Sequence, residues 1–324
     1  ELENWQLQSA IDRPDQLPDQ IYNHRKDKIQ NVILIPYCLF RYYGKKSNSM
    51  WKDLKQGNSL PIIKWLEKRL CLFTSFTLNS ISQSNKILPL TIIFLVDPLP
   101  EAQEVMGWLR RKLVAITSKN GLDVRVLQVS LRSECDSTRS YRDILAPECI
   151  EFLLSQFDHA SIFAISRLDS DDVILPFYTR TIKRIVSCPP SWTFEYPYTK
   201  LMHNYQVKNV YSELTPFSEP TLVEFPFGLQ YSPIEKKCNC VIWPENNFST
   251  LFVSRKHLNH GICHFAFPHD RIPSFVKRTQ VTALDPAWIQ ILHESNEQNC
   301  FMSWGKNYNL TKEESAILLG ESNP

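Results

Sequence analysis

The stretch ISRLDSDDVILP, residues 165–176, follows the apolar run Ile162, Phe163, Ala164, Ile165 and sets Asp169, Asp171 and Asp172 within four positions. Like charges packed this closely repel one another unless something positive sits among them. On an extended continuation of the strand, Asp169 and Asp171 project to one side and Asp172 points elsewhere. Two carboxylates on one side attract a hard divalent ion, and Mg²⁺ or Mn²⁺ typically keeps positions open for phosphate oxygens. A metal-bound diphosphate is the natural ligand. The competing reading is a helix N-terminus, because Pro176 fits the first turn of a helix running to about residue 186. One capping carboxylate would serve there, whereas three add mutual repulsion.

Two other motifs share these letters. A calcium loop of the EF-hand type needs Gly at its sixth position and Glu at its twelfth, where this chain has Ile174 and Arg180, so that reading is excluded. A phosphatase of the haloacid-dehalogenase type also begins with a strand and Asp-x-Asp-x-[Thr/Val], which Asp169, Asp171 and Val173 satisfy. Such enzymes open their catalytic domain with this strand and need a later acidic pair, and downstream only Asp270 and Asp285 remain.

Working outward from the acidic stretch, residues 32–35 read as a strand ending at Pro36, 90–96 as a second, 124–129 as a third and 161–165 as a fourth. Between them, residues 61–78 read as a helix with Ile62, Trp65, Leu66, Arg69, Leu70 and Phe73 at three-and-four spacing. Residues 101–117 form a second helix through Val105, Leu109, Leu113 and Ile116, and 147–157 a third. Alternating strand and helix imply crossover units: an α/β fold with a central, mainly parallel sheet flanked by helices. Ligands in such sheets sit at the carboxyl ends of the strands, where the acidic cluster lies. Residues 188–250, rich in Pro and aromatics, read as loop-rich and packed on the same sheet.

The expected organisation is an arm or linker over 1–29, one domain over 30–303 divided into halves 30–187 and 188–303, and a peripheral tail over 304–324. The 324 residues carry Lys+Arg 36 against Asp+Glu 34, so no global field draws the protein to nucleic acid. The apolar run 90–96 is far shorter than the roughly 20 residues a membrane span needs, and the polar, acidic start ELENWQLQSAIDRPDQLPDQ does not read as a secretory signal. Nine cysteines in a chain this long fit a reducing compartment, and a cytoplasmic location is expected, free or membrane-peripheral. The eight glycines form no GxG or GxxxxGK[ST] pattern, so the backbone cradles of dinucleotide and P-loop folds are absent. Side chains or a metal must then hold any phosphate.

Two weaker constellations remain. Cys238, Cys240, His257, His260, Cys263, His264 and His269 are residue types that zinc favours, but the spacing of structural zinc pairs is not cleanly present. In AWIQILHESN, residues 287–296, a short apolar run delivers His293 beside Glu294 and Asn296. A lone His is more often a satisfied structural residue than a ligand.

Taken in order, FRYYGKK after the first strand, WLEKRLCLFTSFTLNSISQSN at 65–85, TIIFLVDPLP at 91–100, SRLDSDDVI at 166–174 and WIQILHESN at 288–296 resemble the bacterial-type rhamnosyltransferases, glycosyltransferases with a GT-A nucleotide-sugar-binding fold. The resemblance covers about residues 30–300 and finds no close match around 188–250. It implies a GT-A-like single domain with a loop-rich acceptor-side half. It places Asp169 and Asp171 on a Mn²⁺ or Mg²⁺ ion, with His293 completing the metal site, and makes Arg41, Asp97, Arg167 and Asp172 donor-binding. Asp172 either binds the donor sugar or caps the helix at Pro176. The implied partners are a dTDP-, UDP- or GDP-linked sugar donor and a saccharide or glycolipid acceptor. The implied reaction is hexosyl transfer; if it inverts, a carboxylate must take the acceptor proton, and Glu245, in the loop-rich segment several tens of residues after the acidic stretch, is the expected base, with Glu224, Glu195 and Asp270 as alternatives.

Overall fold

The computed structural model describes residues 29–38, 53, 56–96, 103–129, 141–187, 219–243, 248–264, 273–281, 285–293 and 300–319. Four strands and the helices between them build the first half in the expected order. These are β1 (Ile29–Cys38), α1 (Leu60–Leu72), a π-helical turn (Phe73–Thr77), α2 (Leu78–Ile87), β2 (Thr91–Val96), α3 (Gln103–Ser118), β3 (Asp123–Gln128), α4 (Tyr141–Gln156) and β4 (Ile162–Arg167). β3, β2, β1 and β4 lie side by side and parallel. β2 is buried along its whole length, so its side chains read as one continuous apolar run.

The second half departs from the expectation. Within and just past the 188–250 stretch expected to be loop-rich, the described residues contain β6 (Thr221–Glu224), β7 (Phe227–Ser232), β8 (Lys237–Ile242) and β9 (Ser249–Ser254). They are 4–6 residues long and mostly buried on both faces, so the period-two alternation that reveals a strand in sequence is missing. β6, β9 and β10 (Lys277–Gln280) extend the first sheet to seven strands in the order β10-β6-β9-β4-β1-β2-β3, and β9 alone of the seven runs against the rest. The sheet is mixed, within an α/β fold. A second sheet of five strands, β12-β8-β7-β11-β5, uses β5 (Val173–Ile174), β11 (Trp288–Ile291) and β12 (Lys306–Asn307). No sequence pattern had marked it.

Helices cover both faces of the large sheet. Ile62, Leu66, Ile81, Leu109 and Leu113 of α1 to α3 pack on one side with Tyr178 and Ile182 of α5 (Pro176–Ser187). Leu145, Cys149 and Leu153 of α4 pack on the other with Leu258 of α6 (Arg255–Asn259). α4 begins six residues before the expected start and carries Pro147 inside it, at the loss of one backbone hydrogen bond. β1 likewise runs past Pro36, because its pairing with β4 ends at Leu34 and only the β2 side continues, through a register shift after Pro36. Residues 304–319, within the segment expected to be a peripheral tail, supply β12 and α7 (Lys312–Leu319), whose Ile317 and Leu318 are buried against the second sheet.

Candidate functional site

The acidic residues lie where β4 ends. β1 is followed through space by β2 and then β3 on one side and by β4 on the other, so the chain switches direction between β1 and β4. A crevice at such a switch point, off the carboxyl ends of the strands, is where open α/β sheets bind ligands. Leu168 N–H still donates to Leu34 O at 3.1 Å, and the chain then turns, with Asp172 N–H donating to Asp169 O at 3.2 Å. The extended continuation expected for Asp169 and Asp171 is therefore replaced by a turn, and the carboxylates diverge.

Asp169 is the outer one, its side chain 37% exposed and 3.3 Å from Arg167 Nη2. Asp171 is buried at 4% exposure. His293 Nε2 donates to its Oδ2 at 2.6 Å, and Arg69 Nη1 and Nη2 meet Oδ2 and Oδ1, each at 3.3 Å. Arg69 Nη2 also donates to Ser170 Oγ. Burial raises the Asp171 pKa, but the His293 hydrogen bond and the Arg69 charge outweigh it and hold the carboxyl below its usual range. Asp172 neither caps α5 through any hydrogen bond among the described residues nor faces outward. Its Oδ1 accepts from Ile291 N–H at 3.3 Å. Burial first, then the Asp171 and Asp169 charges, push its carboxyl well above the ordinary value.

The second sheet explains how His293 arrives. β5 follows the acidic turn and pairs antiparallel with β11, Val173 opposite Ile289 and Ile174 opposite Trp288. Continuing that register carries residues 291–293 back along the turn from Asp171 toward Asp169. The short strand after the aspartates and the strand before His293 thus align one motif with the other. Gly228 makes this approach possible, since a Cβ there would lie 2.1 Å from the Trp288 ring of β11.

Arg69 was visible in sequence only as a member of an apolar helix face, which is itself the signal: a cation inside a stripe whose Ile62, Leu66 and Phe73 are fully buried. Arg41, Asp97, Glu245, Glu195 and Asp270 lie outside the described residues, Asp97 immediately after β2. Glu224, an alternative base, is 3% exposed and clasped by Arg278 through Nε at 3.1 Å and Nη2 at 2.7 Å. Of the Cys/His collection, His269 lies outside the described residues, and the described members do not converge: Cys238 and Cys263 sit in different core clusters, His257 bonds Ser254 and His264 bonds Ser249.

Among the described residues no three His, Cys, Asp or Glu groups gather as a metal cage. Asp171 and His293 do converge, while Asp169 turns to Arg167, and a small hard cation is typically held through one or two carboxylates plus substrate phosphates. The donor set therefore fits Mn²⁺ or Mg²⁺ brought in with a phosphorylated ligand, and does not fit a closed structural site. No family model, curated protein or solved structure matches the chain. No helix among the described residues is long and apolar enough to cross a membrane.

Proposed function

We propose that this chain is a metal-dependent glycosyltransferase with a GT-A-like fold, moving a sugar, rhamnose by resemblance, from a nucleotide-diphosphate donor to a saccharide acceptor hydroxyl. The observation that carries the reading is the pairing of Asp171 with His293 at the switch point between β1 and β4, two motifs 122 positions apart meeting at 2.6 Å where such sheets bind ligands. Asp171 and His293 are the residues that would hold Mn²⁺ or Mg²⁺, with Asp169 reaching the ion only by turning from Arg167. The ion, when bound, supplies charge stabilisation to the departing diphosphate. The chain's own part is orientation. Arg167 places Asp169, His293 and Arg69 keep Asp171 ionised and placed, and Asp172 fixes the turn to β11. Glu245, between β8 and β9 in sequence, is proposed as the base that accepts the acceptor hydroxyl proton.

A thermal-shift panel of UDP, dTDP and GDP with and without Mn²⁺ tests this. At about one hundred times its Kd a nucleotide adds about 2.7 kcal/mol to stability. At least one nucleotide should raise the melting temperature only when Mn²⁺ is present, and Asp171→Ala should abolish the rise. No response to any nucleotide would sink the proposal. Metal-dependent release of phosphate from p-nitrophenyl phosphate, lost in Asp169→Asn, would replace it with a phosphatase.

A further inference from the structure

Three arginines of this protein that bind side chains or carbonyls can be compared. Arg255 donates from Nη1 to Phe157 O at 2.8 Å and from Nη2 to Leu154 O at 2.8 Å, a guanidinium locked between carbonyls. Arg278 grips Glu224 end-on through Nε and Nη2. Arg69 is held differently: its short bond runs from Nη2 to the neutral Ser170 Oγ, not to the carboxylate. Both of its contacts to Asp171 are 3.3 Å long, whereas charge-assisted N–H···O bonds settle near 2.7–2.9 Å. Its Nε is buried without a hydrogen-bond partner among the described residues. Such a donor is costly to leave unmade. His293, by contrast, takes Asp171 Oδ2 at 2.6 Å. Asp171 is thus firmly bound on the His293 side and loosely on the Arg69 side.

The surroundings suit a guanidinium that changes partner. It lies with its carbon 5.5 Å from the Trp65 ring centroid, and its side chain is 15% exposed, so the fork reaches the site from the rim of the core. Arg presents paired donors that match phosphate oxygens as well as they match a carboxylate. Resting on the donor reading above, we propose that Arg69 is the diphosphate seat of this site. In the free protein it serves as the counter-ion of Asp171, and it passes to the diphosphate oxygens when the nucleotide enters. Two cations cannot share the Asp171 carboxylate without repelling each other, so a divalent ion alone is opposed by Arg69, and an anionic nucleotide relieves that opposition. Cation and nucleotide are therefore coupled in binding, and the coupling is reciprocal.

Titrating Mn²⁺ into the full chain, with free ion read by electron paramagnetic resonance, tests this in wild type, Arg69→Gln and Arg69→Lys, each with no nucleotide and with UDP, dTDP or GDP. Wild type should bind Mn²⁺ at least about tenfold more tightly with a nucleotide than without. Arg69→Gln should bind bare Mn²⁺ about tenfold more tightly than wild type, while its affinity for the nucleotide falls about 10- to 100-fold, the worth of hydrogen bonds to a charged group. Arg69→Lys keeps the charge without the fork, so bare Mn²⁺ stays weak and the nucleotide still loses about tenfold. Wild type that couples the two while both variants leave bare-ion and nucleotide affinities unchanged overturns the role of Arg69 and spares the donor reading. Wild type that takes up no Mn²⁺ with any nucleotide overturns both.

Discussion

Asp172 differs from its two acidic neighbours in what its carboxyl touches: a backbone N–H of β11 rather than an arginine. Replacing it by Ala leaves the Ile291 N–H buried without its acceptor, which costs about 1–3 kcal/mol. Asp172→Asn keeps an acceptor in place. In metal-free buffer the comparison also depends on pH. The folded carboxyl titrates above its ordinary value of 3.8, so the folded chain holds a proton that the unfolded chain releases. The stability this lends is complete below that ordinary value and is lost as pH rises through the folded one. The amide does not titrate, so Asp172→Asn should gain on wild type as pH rises across that window, measured by urea denaturation in EDTA. A constant difference between the two at every pH would mean that the buried carboxyl is not protonated. Of the site itself, the positions of Asp169, Asp171 and His293 were legible because each ends an apolar run. Their division of labour was not, because whether three aspartates continue a strand or enter a turn is settled by β11, more than one hundred residues away.

At the scale of elements, the sequence revealed those whose burial is one-sided or whose apolar run is unbroken. Leu109 and Leu113 of α3 were found by helical spacing, and β2 by its uninterrupted apolar letters. β7 was invisible, since FGLQYS carries Gly, Gln and Ser yet is nearly all buried. Its polar members are satisfied across the sheet rather than by water: Gln230 donates to Gln290 at 2.8 Å and accepts from Met302 N–H at 2.9 Å. Gly228 has a definite reason to be there. The Trp288 ring is stacked on Phe248 at 4.3 Å and tied through Nε1 to Phe225 O at 2.7 Å, so it cannot retreat from an added methyl 2.1 Å away. Gly228→Ala should therefore cost about 1–3 kcal/mol or more, and, by displacing β11, should weaken the nucleotide response as well. If denaturation finds the variant as stable as wild type, β7 and β11 are not packed this closely.

For the whole molecule, the switch point and the two-faced packing follow from the order of the first four strands, which is why the first half was readable. The second sheet was not readable, because its strands come from residues 173–307 and include two of only two residues each. What backs that sheet is α7. Thr311 and Glu314 cap it reciprocally, Glu314 N–H donating to Thr311 Oγ1 at 3.2 Å and Thr311 N–H to Glu314 Oε2 at 2.7 Å. Asn79 of α2 donates to the carbonyls of Ala316 and Ile317 near its far end. Just past these two anchors Leu318, fully buried, packs in one cluster with Val173, Ile289 and Ile291, the residues on either side of the turn and strand that align Asp171 with His293. A C-terminal helix thus supports the candidate site from behind. Leu318→Ala should cost about 2–5 kcal/mol, the range for a buried leucine, while Leu60→Ala, at a position 55% exposed, should change stability by less than about 0.5 kcal/mol. Both are measured by urea unfolding at unchanged slope. Equal and small losses at the two positions would detach α7 from the fold and leave the alignment of β5 with β11 to the strands alone.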